Sequence, residues 1–552
     1  MRDRRNSLVA SKGSGENCPV WPDQSFFDGQ ACRVKMGGAG EGARRNWIEA
    51  GFDPPTCLPS SIPAQSFHTF TPIMTSRRLL LLLCIALLAV AARAASLRAG
   101  AFAQDITPTK LPSPINGNMK GNFSRDVTDP MHARSLAISD GKTELILCVV
   151  DACMIPREIC EEAKAIAAKA TGVPKSHLLI SATHSHSCAT MVGVFQSDPD
   201  PAYLAEVPAR IAQSLIQAHA NLEPAELAWN KDNDRTQVFN RRWFVKTGES
   251  YENPFDSKGD RAWMNPGYNN GKVTLPAGPV DPEVSILAAR AKVGGRPIAV
   301  LANYSLHYVG GLPAISADYY GAFARELAQR LNASDGRYKG KPAFVGIMSN
   351  GTSGNINNVN YAAAPGPKRA PGEQINTVAK SVGDAAMRAW EKLTWKADVP
   401  LASAERDLSL GVRKATPAEL ERAQKLVDTT RRDKDGQFSE RKAIYAREAL
   451  LLDKFPDQVP VKLQAHRIGA LTIAAIPCEV FVEIGLDLKA TKVLGSHFTI
   501  SLANGYNGYL PTPEHHQFGG YETWRARSSY LEVDASTKIT ANLKEMLAGL
   551  AK

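Results

Sequence analysis

Two histidines and one glutamate follow predicted strands of this sequence, where they can bind a metal ion. The segment Thr-His-Ser-His-Ser at 183–187 follows one strand, His307 ends a second, and Pro-Cys-Glu at 477–479 ends a third. Because α/β folds place reactive side chains at strand ends, we expect His184, His307 and Glu479 to share one cleft. Two imidazoles and one carboxylate are a ligand set of hydrolytic zinc enzymes. The residue types therefore predict a zinc site.

The predicted ligand set carries one negative charge, so a bound Zn²⁺ keeps a net positive charge. Water bound to such an ion loses its proton near pH ~7 and becomes a hydroxide nucleophile. In the H-x-H pair of His184 and His186, one imidazole can bind the metal while the other acts beside it. Two alternatives stay open: the pair can be structural, or it can occur by chance. The spacing of the three ligands matches no short zinc motif such as H-E-x-x-H.

Strand-like and helix-like segments alternate along the chain and must position these side chains. Residues 144–151 form an apolar run of the buried-strand kind, residues 157–169 an Ala- and Glu-rich helix, and residues 177–181 a second strand. This order predicts a βαβ unit with a parallel strand pair. Further strands are predicted at 297–302, 343–348 and 471–476. The pattern predicts an α/β fold, with one large domain that has a mixed, partly parallel central sheet and βαβ units.

Helix starts and one long loop complete this prediction. Ser316 and Asp318 can cap a helix, and Thr-Pro-Ala-Glu at 416–419 is a capping box that opens another. Residues 231–282 are rich in Asn, Gly, Pro and Asp, and predict a long irregular excursion of the kind that is often functional. Asp151 and Asp318 lie at strand or loop ends, where we expect helix capping or a buried hydrogen bond.

The N-terminal part of the chain predicts export. Two arginines precede an apolar run at 79–92 and an Ala-Arg-Ala cleavage pattern follows, so residues 74–94 are predicted to be a signal peptide. An uncleaved anchor and a buried helix are the alternatives, although the run is shorter than the ~20 residues of a membrane span. Residues 1–73 show no periodicity and are predicted to be a mis-assigned or disordered extension. The predicted location is secreted or periplasmic, with residues 95–552 as the mature zinc-hydrolase domain.

Composition excludes several classes of protein. The chain is 44% hydrophobic and 22% charged, which indicates a folded globular protein and not a disordered, collagenous or polytopic membrane protein. Its net charge of +10 is spread along the sequence without a Lys/Arg block, so no nucleic-acid partner is expected. The nine cysteines are too few for a disulfide scaffold. The mature chain keeps Cys148, Cys153, Cys160, Cys188 and Cys478, and a Cys153–Cys160 bridge is one option.

Six segments resemble, in the same order, motifs of the neutral/alkaline (non-lysosomal) ceramidase family. They are Asp-Pro-Met-His-Ala-Arg at 129–134, Thr-His-Ser-His-Ser at 183–187, Asn-Arg at 240–241, Asn-Tyr-Ser-Leu-His at 303–307, Pro-Cys-Glu at 477–479, and Asn-Gly-Tyr-Asn-Gly-Tyr at 504–509 with Pro-Glu at 513–514 and Tyr-Glu at 521–522. The similarity spans roughly 98–530, nearly all of the mature chain. The sequence therefore resembles the family's N-terminal catalytic domain, and the resemblance implies the same fold.

The resemblance implies a zinc ion held by His184, His307, Glu479 and Tyr509. The first three are the residues already predicted from the strand ends, and Tyr509 enters from the resemblance alone. Ordinary aromatic packing is the alternative for this tyrosine.

The resemblance also implies catalytic roles for His186, Arg241 and Tyr521. His186 would contact the developing oxyanion or move a proton, and Arg241 and Tyr521 would line the reaction centre. Donors of this kind stabilise the negative charge that forms when an amide carbonyl is attacked. The alternatives are a structural salt bridge for Arg241, for which Arg242 is an equal candidate, and aromatic packing for Tyr521.

Two departures from the family concern the substrate. The family's G-[ND]-x-S-P-N motif reads Gly-Asn-Ile-Asn-Asn-Val at 354–359, so Asn357 stands at the serine position. Asn357 is predicted to contact substrate and to disfavour ceramide itself; the alternative is that it caps the loop. The chain also ends soon after Tyr530 and a short helix at 537–550, so we expect the family's C-terminal sandwich domain to be absent.

Together these features predict an exported, zinc-dependent hydrolase that cleaves a C–N amide bond by zinc-hydroxide attack. The expected substrate is a small-molecule or lipid amide, either N-acylsphingosine or a related N-acyl amide, which places the chain in sphingolipid or wider lipid metabolism. Peripheral membrane contact is compatible with such a substrate. A zinc esterase with a similar substrate and a non-catalytic binding protein that keeps the fold are the alternatives. The sequence leaves the oligomeric state open.

Overall fold

Strands and helices alternate along residues 97–552, the part of the chain that the computed structural model describes. The strands, numbered in chain order, are β1 (Arg98–Asp105), β2 (Ser113–Ile115), β3 (Asn122–Ser124), β4 (His132–Ser139), β5 (Glu144–Val150), β6 (Leu178–Ala182), β7 (Glu223–Asn233), β8 (Phe239–Asn240), β9 (Arg242–Val245), β10 (Ala262–Met264), β11 (Val273–Pro276), β12 (Glu283–Ala291), β13 (Pro297–Tyr304), β14 (Val345–Asn350), β15 (Ile356–Asn357), β16 (Leu401–Gly411), β17 (Gln458–Ile468), β18 (Leu471–Ala475), β19 (Glu479–Val480), β20 (Ser496–Ile500) and β21 (Tyr509–Leu510). The α-helices are α1 (Arg157–Thr171), α2 (Pro201–Ala220), α3 (Asp318–Arg330), α4 (Glu373–Trp390), α5 (Pro417–Thr429), α6 (Arg441–Asp453), α7 (Val482–Ala490), α8 (Pro513–Phe518) and α9 (Ala535–Ala551). The predicted extension at 1–73 and the predicted signal peptide at 74–94 lie outside the described residues.

The largest sheet has eight strands in the order β14-β13-β12-β7-β1-β4-β5-β6. The two outer pairs, β13–β14 and β5–β6, are parallel. All other neighbours are antiparallel. Because α1 connects β5 to β6 and α3 connects β13 to β14, each parallel pair closes a βαβ unit. The predicted α/β fold with a mixed, partly parallel sheet is therefore confirmed.

Strands of this sheet are buried on both faces, which explains their continuous apolar sequences. The side chains of β5 alternate between two hydrophobic cores. Leu145, Leu147 and Val149 lie in the central core on one face of the sheet, and Ile146, Cys148 and Val150 lie in a core on the other face, under α1 and α2. Strand β13 alternates in the same way between the central core and a core under α3 and α4. The helices of the βαβ units therefore cover the outer faces of the sheet.

A second sheet of four strands, in the order β16-β17-β18-β20, closes the central core. One of its faces contributes Ile473 and Phe498 to that core. Its other face packs on α9, where Leu463 and Leu543 lie in one apolar cluster. Within residues 97–552, every helix is too short or too polar to cross a membrane.

The eight-stranded sheet is weakly joined at its middle, and its two halves pack against each other. Strands β1 and β7 are linked through the residue pairs Arg98–Pro224 and Ala99–Glu223. Strand β14, at one edge, lies against β4, β5 and β6 of the opposite half. In this sheet, β6 and β13 run in opposite directions. The packing of the two halves brings the C-terminal end of β6 close to the C-terminal end of β13.

The segment at 231–282 is more ordered than its composition predicts. It contains the end of β7 and the short strands β8 to β11. Strands β9, β10 and β11 form a three-stranded sheet, and β8 pairs with β15. The predicted irregular excursion is wrong for these strands, because short strands that pair with distant partners need no apolar period of their own. The Cys153–Cys160 bridge is also wrong, since both cysteines are free and buried.

Both predicted helix starts open a helix, but they are capped in different ways. The Thr416 capping box opens α5 and is confirmed. Helix α3 begins at Asp318 and has Ala317 at its N-cap position, and the Ser316 hydroxyl oxygen accepts a hydrogen bond from the Asp318 N–H (2.9 Å), as predicted for Ser316. The buried Asp318 carboxylate accepts hydrogen bonds from the backbone N–H groups of Val309 (3.2 Å) and Gly310 (2.7 Å). Asp151 is likewise buried and ion-paired, so both aspartates make the buried contacts that were expected.

Candidate metal centre

A short segment after β20 forms hydrogen bonds with the ends of strands that lie beside the predicted ligands. The Ser501 N–H donates to the carbonyl of Asn350 at the end of β14 (3.0 Å), and the Leu502 carbonyl accepts from the N–H of Ala182 at the end of β6 (3.0 Å). The Leu502 N–H donates to the carbonyl of Cys478, directly before β19 (3.0 Å). These hydrogen bonds hold the ends of β6, β14 and β19 side by side.

Three of the predicted ligands meet at the centre of this site. His184 Nε2 lies 3.1 Å from His307 Nε2 and 3.2 Å from Glu479 Oε2. All three side chains are buried, and their ligand atoms lie within 4.8 Å of one another. Ligands that bind zinc tetrahedrally at about 2.0–2.1 Å stand about 3.3 Å apart. The observed separations are close to that value, so the side chains are spaced for a metal ion.

Backbone carbonyls orient the two imidazoles. His184 Nδ1 lies 2.8 Å from the Cys153 carbonyl, and His307 Nδ1 lies 3.1 Å from the Ser353 carbonyl. A carbonyl only accepts, so each Nδ1 carries a hydrogen and each Nε2 is left to bind a metal, as in known metal-binding histidines. His184 also has a φ of 74°, which non-glycine residues rarely adopt and which is concentrated at functional sites.

Glu479 has one carboxylate oxygen held and the other available. Its Oε1 accepts a hydrogen bond from the Tyr506 hydroxyl (3.0 Å). Its Oε2 is buried, lies 3.2 Å from His184 Nε2 and has no other partner among the described residues. Tyr509 stands directly opposite Glu479 in the parallel β19–β21 pair and lines the same cavity. A buried carboxylate oxygen beside two imidazole nitrogens fits a cation, so these residues fit the zinc ion that the resemblance implies.

Without a metal, this cluster holds a proton. Burial lowers the pKa of His184, but the charge of Glu479 outweighs burial and raises this pKa to about 10. Burial and the positive charge of Arg241 lower the pKa of His307 well below its ordinary value. Burial and the charge of His184 lower the pKa of His186 in the same way. A metal ion must therefore displace the proton that His184 shares with Glu479.

His186 reaches the cluster from one side and is held by packing. Its Nε2 lies 3.2 Å from His184 Nε2, and its ring stacks on Tyr308 with the ring centroids 3.6 Å apart. Its Nδ1 is buried and makes no hydrogen bond to the described residues. Gly117 contacts this ring so closely that a Cβ there would lie 2.3 Å from it. His186 is therefore a neutral imidazole with one nitrogen facing the predicted ligands.

The two adjacent arginines have different surroundings. Arg241 NH2 donates to the Tyr509 hydroxyl (3.1 Å), and its NH1 lies 3.2 Å from His307 Nε2. Arg242 is fully buried and donates to Glu522 Oε2 (2.6 Å), while Arg241 Nε donates to Glu522 Oε1 (2.9 Å). The structure places Arg241 at the site and Arg242 behind it, with Glu522 paired to both.

Tyr521 and Asn357 are placed differently from each other. Tyr521 lines the cavity, with its ring centroid 5.8 Å from that of Tyr509. Asn357 does not line the cavity. Its Nδ2 donates to Asn265 Oδ1 (2.8 Å), and its Oδ1 accepts from the Val359 N–H (3.0 Å). This is the loop-capping arrangement that was the alternative to substrate contact.

The cavity beside the ligands is narrow, with a volume of about 30 Å³. This exceeds the ~10–15 Å³ that one water needs, so water can enter the cavity. Some of its lining residues were missed by the sequence analysis: Asn116, Gly117, Cys153, Phe195 and Tyr506. A signal existed for Tyr506, which lies inside the motif at 504–509. The others come from segments whose sequences carry no pattern for a site.

Comparisons with known proteins support the fold. No protein-family model and no curated protein matches this chain. Among solved structures, the chain is similar to the neutral ceramidase from Pseudomonas aeruginosa, with 17% identity, a TM-score of 0.60, and coverage of 83% of this chain and 75% of that one. It is also similar to a ceramidase complexed with C2, with 16% identity, a TM-score of 0.61 and the same coverage. The fold is that of these ceramidases, and the resemblance drawn from the motifs is confirmed at this level.

Proposed function

We propose that this chain is an exported, zinc-dependent amide hydrolase of the ceramidase type. The observation that carries the proposal is the convergence of His184, His307 and Glu479, with His184 Nε2 3.1 Å from His307 and 3.2 Å from Glu479, inside a fold similar to that of neutral ceramidases. The similar solved proteins are a neutral ceramidase and a ceramidase complexed with C2. An N-acyl amide is therefore the substrate class that we assign to this site.

His184, His307 and Glu479 are the residues that would hold zinc, with Tyr509 as the fourth ligand. When bound, zinc supplies a Lewis acid that polarises a carbonyl and lowers the pKa of a bound water. The backbone carbonyls behind the two imidazoles keep each Nε2 aimed at the same point.

His186 is the residue that we assign to proton transfer. Burial lowers the pKa of His186 well below its ordinary value, so the ring is neutral at neutral pH. A neutral imidazole can accept a proton from the attacking water and return it to the departing amine nitrogen. Its Nε2 faces the ligand cluster, while the stacked ring of Tyr308 restricts its rotation.

Arg241 and Tyr521 are assigned to the negative charge that develops on the substrate oxygen. Glu522 and the carbonyl of Gly354 hold the Arg241 guanidinium in place (2.9 and 2.8 Å). Burial raises the pKa of Tyr521, so its hydroxyl keeps its proton and can donate. Fixed donors in a site without bulk water stabilise an oxyanion more than mobile donors in water do.

The substrate's long substituents have no room in the cavity of about 30 Å³. Only the reacting atoms fit, so the acyl chain and the amine extend toward the mouth of the cavity, whose lining includes the apolar side chains of Met154, Val194 and Phe195. Peripheral contact with a membrane would present a lipid amide to this mouth.

Export is part of the proposal and rests on the signal pattern at 74–94. N-terminal sequencing of the native protein tests export: a mature chain that begins near Ala95 supports it, and one that keeps Trp47 contradicts it.

The decisive experiment combines metal analysis of the purified protein with a hydrolysis panel of N-acyl amides and matched esters. We expect one zinc per chain and hydrolysis of amides, with both lost in His307→Ala. Hydrolysis of the esters alone would favour a zinc esterase. Bound zinc without any hydrolysis would favour a binding protein that keeps the fold.

The same panel tests the prediction that natural ceramide is not the best substrate. The motive from the sequence is Asn357, an amide where the related family has a smaller serine. The structure shows both polar groups of this side chain engaged within its loop and outside the cavity, so we expect Asn357→Ser to leave the kcat/KM ratio of ceramide to shorter N-acyl amides close to that of the wild type. A gain for ceramide of roughly 10- to 100-fold in Asn357→Ser, the size expected when an unpaired polar group regains a partner, would show that this residue does contact substrate.

A further inference from the structure

Cys153 places a thiol in the wall of the metal cavity. Its backbone carbonyl accepts from His184 Nδ1, and its Sγ lies 3.7 Å from the same nitrogen. Among the free cysteines of the described residues, Cys153 is the one that lines this cavity. Neither the proposed metal ligands nor the proposed proton transfer uses this sulfur. Its position next to two imidazoles therefore needs a separate explanation.

Cys153, His184 and His186 form a second set of potential ligands. Their ligand atoms lie within 4.8 Å of one another, and the set shares His184 with the first one. The first set has two nitrogens and one oxygen, whereas the second has two nitrogens and one sulfur. A thiolate also binds zinc, and it favours soft, thiophilic ions more strongly than a carboxylate does. The Nε2 of His186 lies 3.2 Å from His184 Nε2, so this ring presents a nitrogen to the second set.

We infer that Cys153, His184 and His186 form an inhibitory site for a thiophilic divalent cation such as Cd²⁺. Binding breaks the S–H bond of Cys153, forms a sulfur–metal bond and releases the proton to solvent, with no change in oxidation state. The bound ion occupies Nε2 of His186 and takes Nε2 of His184 from the first ligand set, so it competes with zinc for this nitrogen. It therefore removes the imidazole that the proposed function uses for proton transfer. The inference rests on the proposed function for its inhibitory effect, but not for the binding of the ion.

The test is a titration of the zinc-loaded protein with Cd²⁺. The measured signal is the ultraviolet charge-transfer absorption of a thiolate–cadmium bond. The first ligand set contains no sulfur, so the band reports the second set alone. We expect a saturable band in the wild type, and its loss in both Cys153→Ser and Cys153→Ala. Their Cd²⁺ affinity should fall by more than about 100-fold, which exceeds the 10- to 100-fold cost of losing an outer-shell partner of a metal site. Cys160→Ala is the matched control, because Cys160 is buried in α1 and lines no part of this cavity, and its band should equal that of the wild type.

Two further measurements separate this inference from the proposed function. His307→Ala removes the first ligand set but leaves the second, so it should lose zinc and keep the cadmium band. Hydrolysis by each protein is compared with its own rate before Cd²⁺ is added, and we expect inhibition in the wild type but not in Cys153→Ser. A band that survives in both Cys153 variants, or a wild type that shows no band, would overturn the inference. Zinc retained in a protein that carries both His307→Ala and Cys153→Ala would instead overturn the proposed metal ligands and leave the cadmium result standing.

Discussion

The three imidazoles of the centre differ in what orients them, and this difference predicts different effects of substitution. Backbone carbonyls fix His184 and His307, whereas stacking and packing fix His186. His184→Ala and His307→Ala should each lose the metal and nearly all hydrolysis while circular dichroism shows an intact fold. His186→Ala should keep the metal and lose rate by on the order of 10²-fold or more, as when one oxyanion donor is removed. Metal content and kcat measured on the same preparations separate the two classes.

Two outcomes would contradict this assignment in different ways. If His186→Ala loses zinc and His184→Ala keeps it, the two residues have exchanged roles. If His184→Ala and His307→Ala both keep a full equivalent of zinc, the metal lies elsewhere.

A second residue-scale prediction concerns Tyr506, whose hydroxyl donates to Glu479 Oε1 (3.0 Å). This hydrogen bond directs the other carboxylate oxygen at the two imidazoles. Tyr506→Phe should lower zinc affinity by about 10- to 100-fold, the usual cost of losing an outer-shell partner of a ligand. Tyr530→Phe is the control, because its buried hydroxyl donates to Asn507 and not to Glu479. Competition with a zinc-binding dye measures both, and equal affinities for the two variants would refute the role of Tyr506.

At the scale of elements, the close contact between β19 and the loop that joins β14 to β15 helps to set the position of Glu479. The Gly354 N–H donates to the Val480 carbonyl (2.8 Å), and the Gly354 carbonyl accepts from Arg241 (2.8 Å). A Cβ on Gly354 would lie 2.6 Å from the carbonyl oxygen of Glu479, which is too close for real atoms. The loop that follows β14 must therefore have glycine at this position.

Gly354→Ala should push this loop away from β19 and move Glu479 and Arg241 apart. We expect a loss of stability of about 1–3 kcal/mol, as for other overpacked sites, and a larger relative loss of zinc affinity. Gly549→Ala in α9 is the control, since a Cβ there meets no atom within 4 Å and alanine favours a helix. Urea unfolding and zinc titration on both variants check the prediction. A Gly354→Ala protein with wild-type zinc affinity would show that the loop does not position the ligands.

The sequence could predict the elements whose signals are local, but not how those elements meet. The βαβ unit around α1 and the histidines after β6 and β13 follow from short apolar runs that end in polar residues. The two-residue strands β19 and β21 have no such run, because their pairing is made across the fold. Sequence alone also left Arg241 and Arg242 equivalent, since only the fold decides which of two neighbours faces the cavity. Tyr509 came from the family resemblance and not from any local pattern.

At the scale of the whole described chain, the fold buries ionisable side chains far from the metal centre. His466 of β17 and Lys164 of α1 are fully buried. Neither ring nitrogen of His466 nor the amine of Lys164 has a hydrogen-bond partner among the described residues. Burial lowers the pKa of His466 to about 3 and that of Lys164 to about 8. Unpaired polar groups of this kind cost stability, and their protonation makes stability depend on pH.

His466 should make the folded state sensitive to acid. The folded protein protonates this ring only near pH 3, whereas the unfolded chain protonates it near its ordinary pKa of 6.5. Between these values the unfolded state binds one more proton, so the free energy of unfolding falls as pH falls, by about 1.4 kcal/mol per pH unit. His466→Leu removes this proton and two unpaired nitrogens. We therefore expect equal or higher stability at neutral pH and a smaller loss of the free energy of unfolding in acid.

Lys164→Met is the control, because the folded and unfolded pKa values of Lys164 both lie above this range. The dependence of its free energy of unfolding on pH should therefore match that of the wild type. Urea unfolding at several pH values between 6.5 and 3 measures the slopes, and equal slopes for His466→Leu and the wild type would mean that the ring is protonated inside the fold.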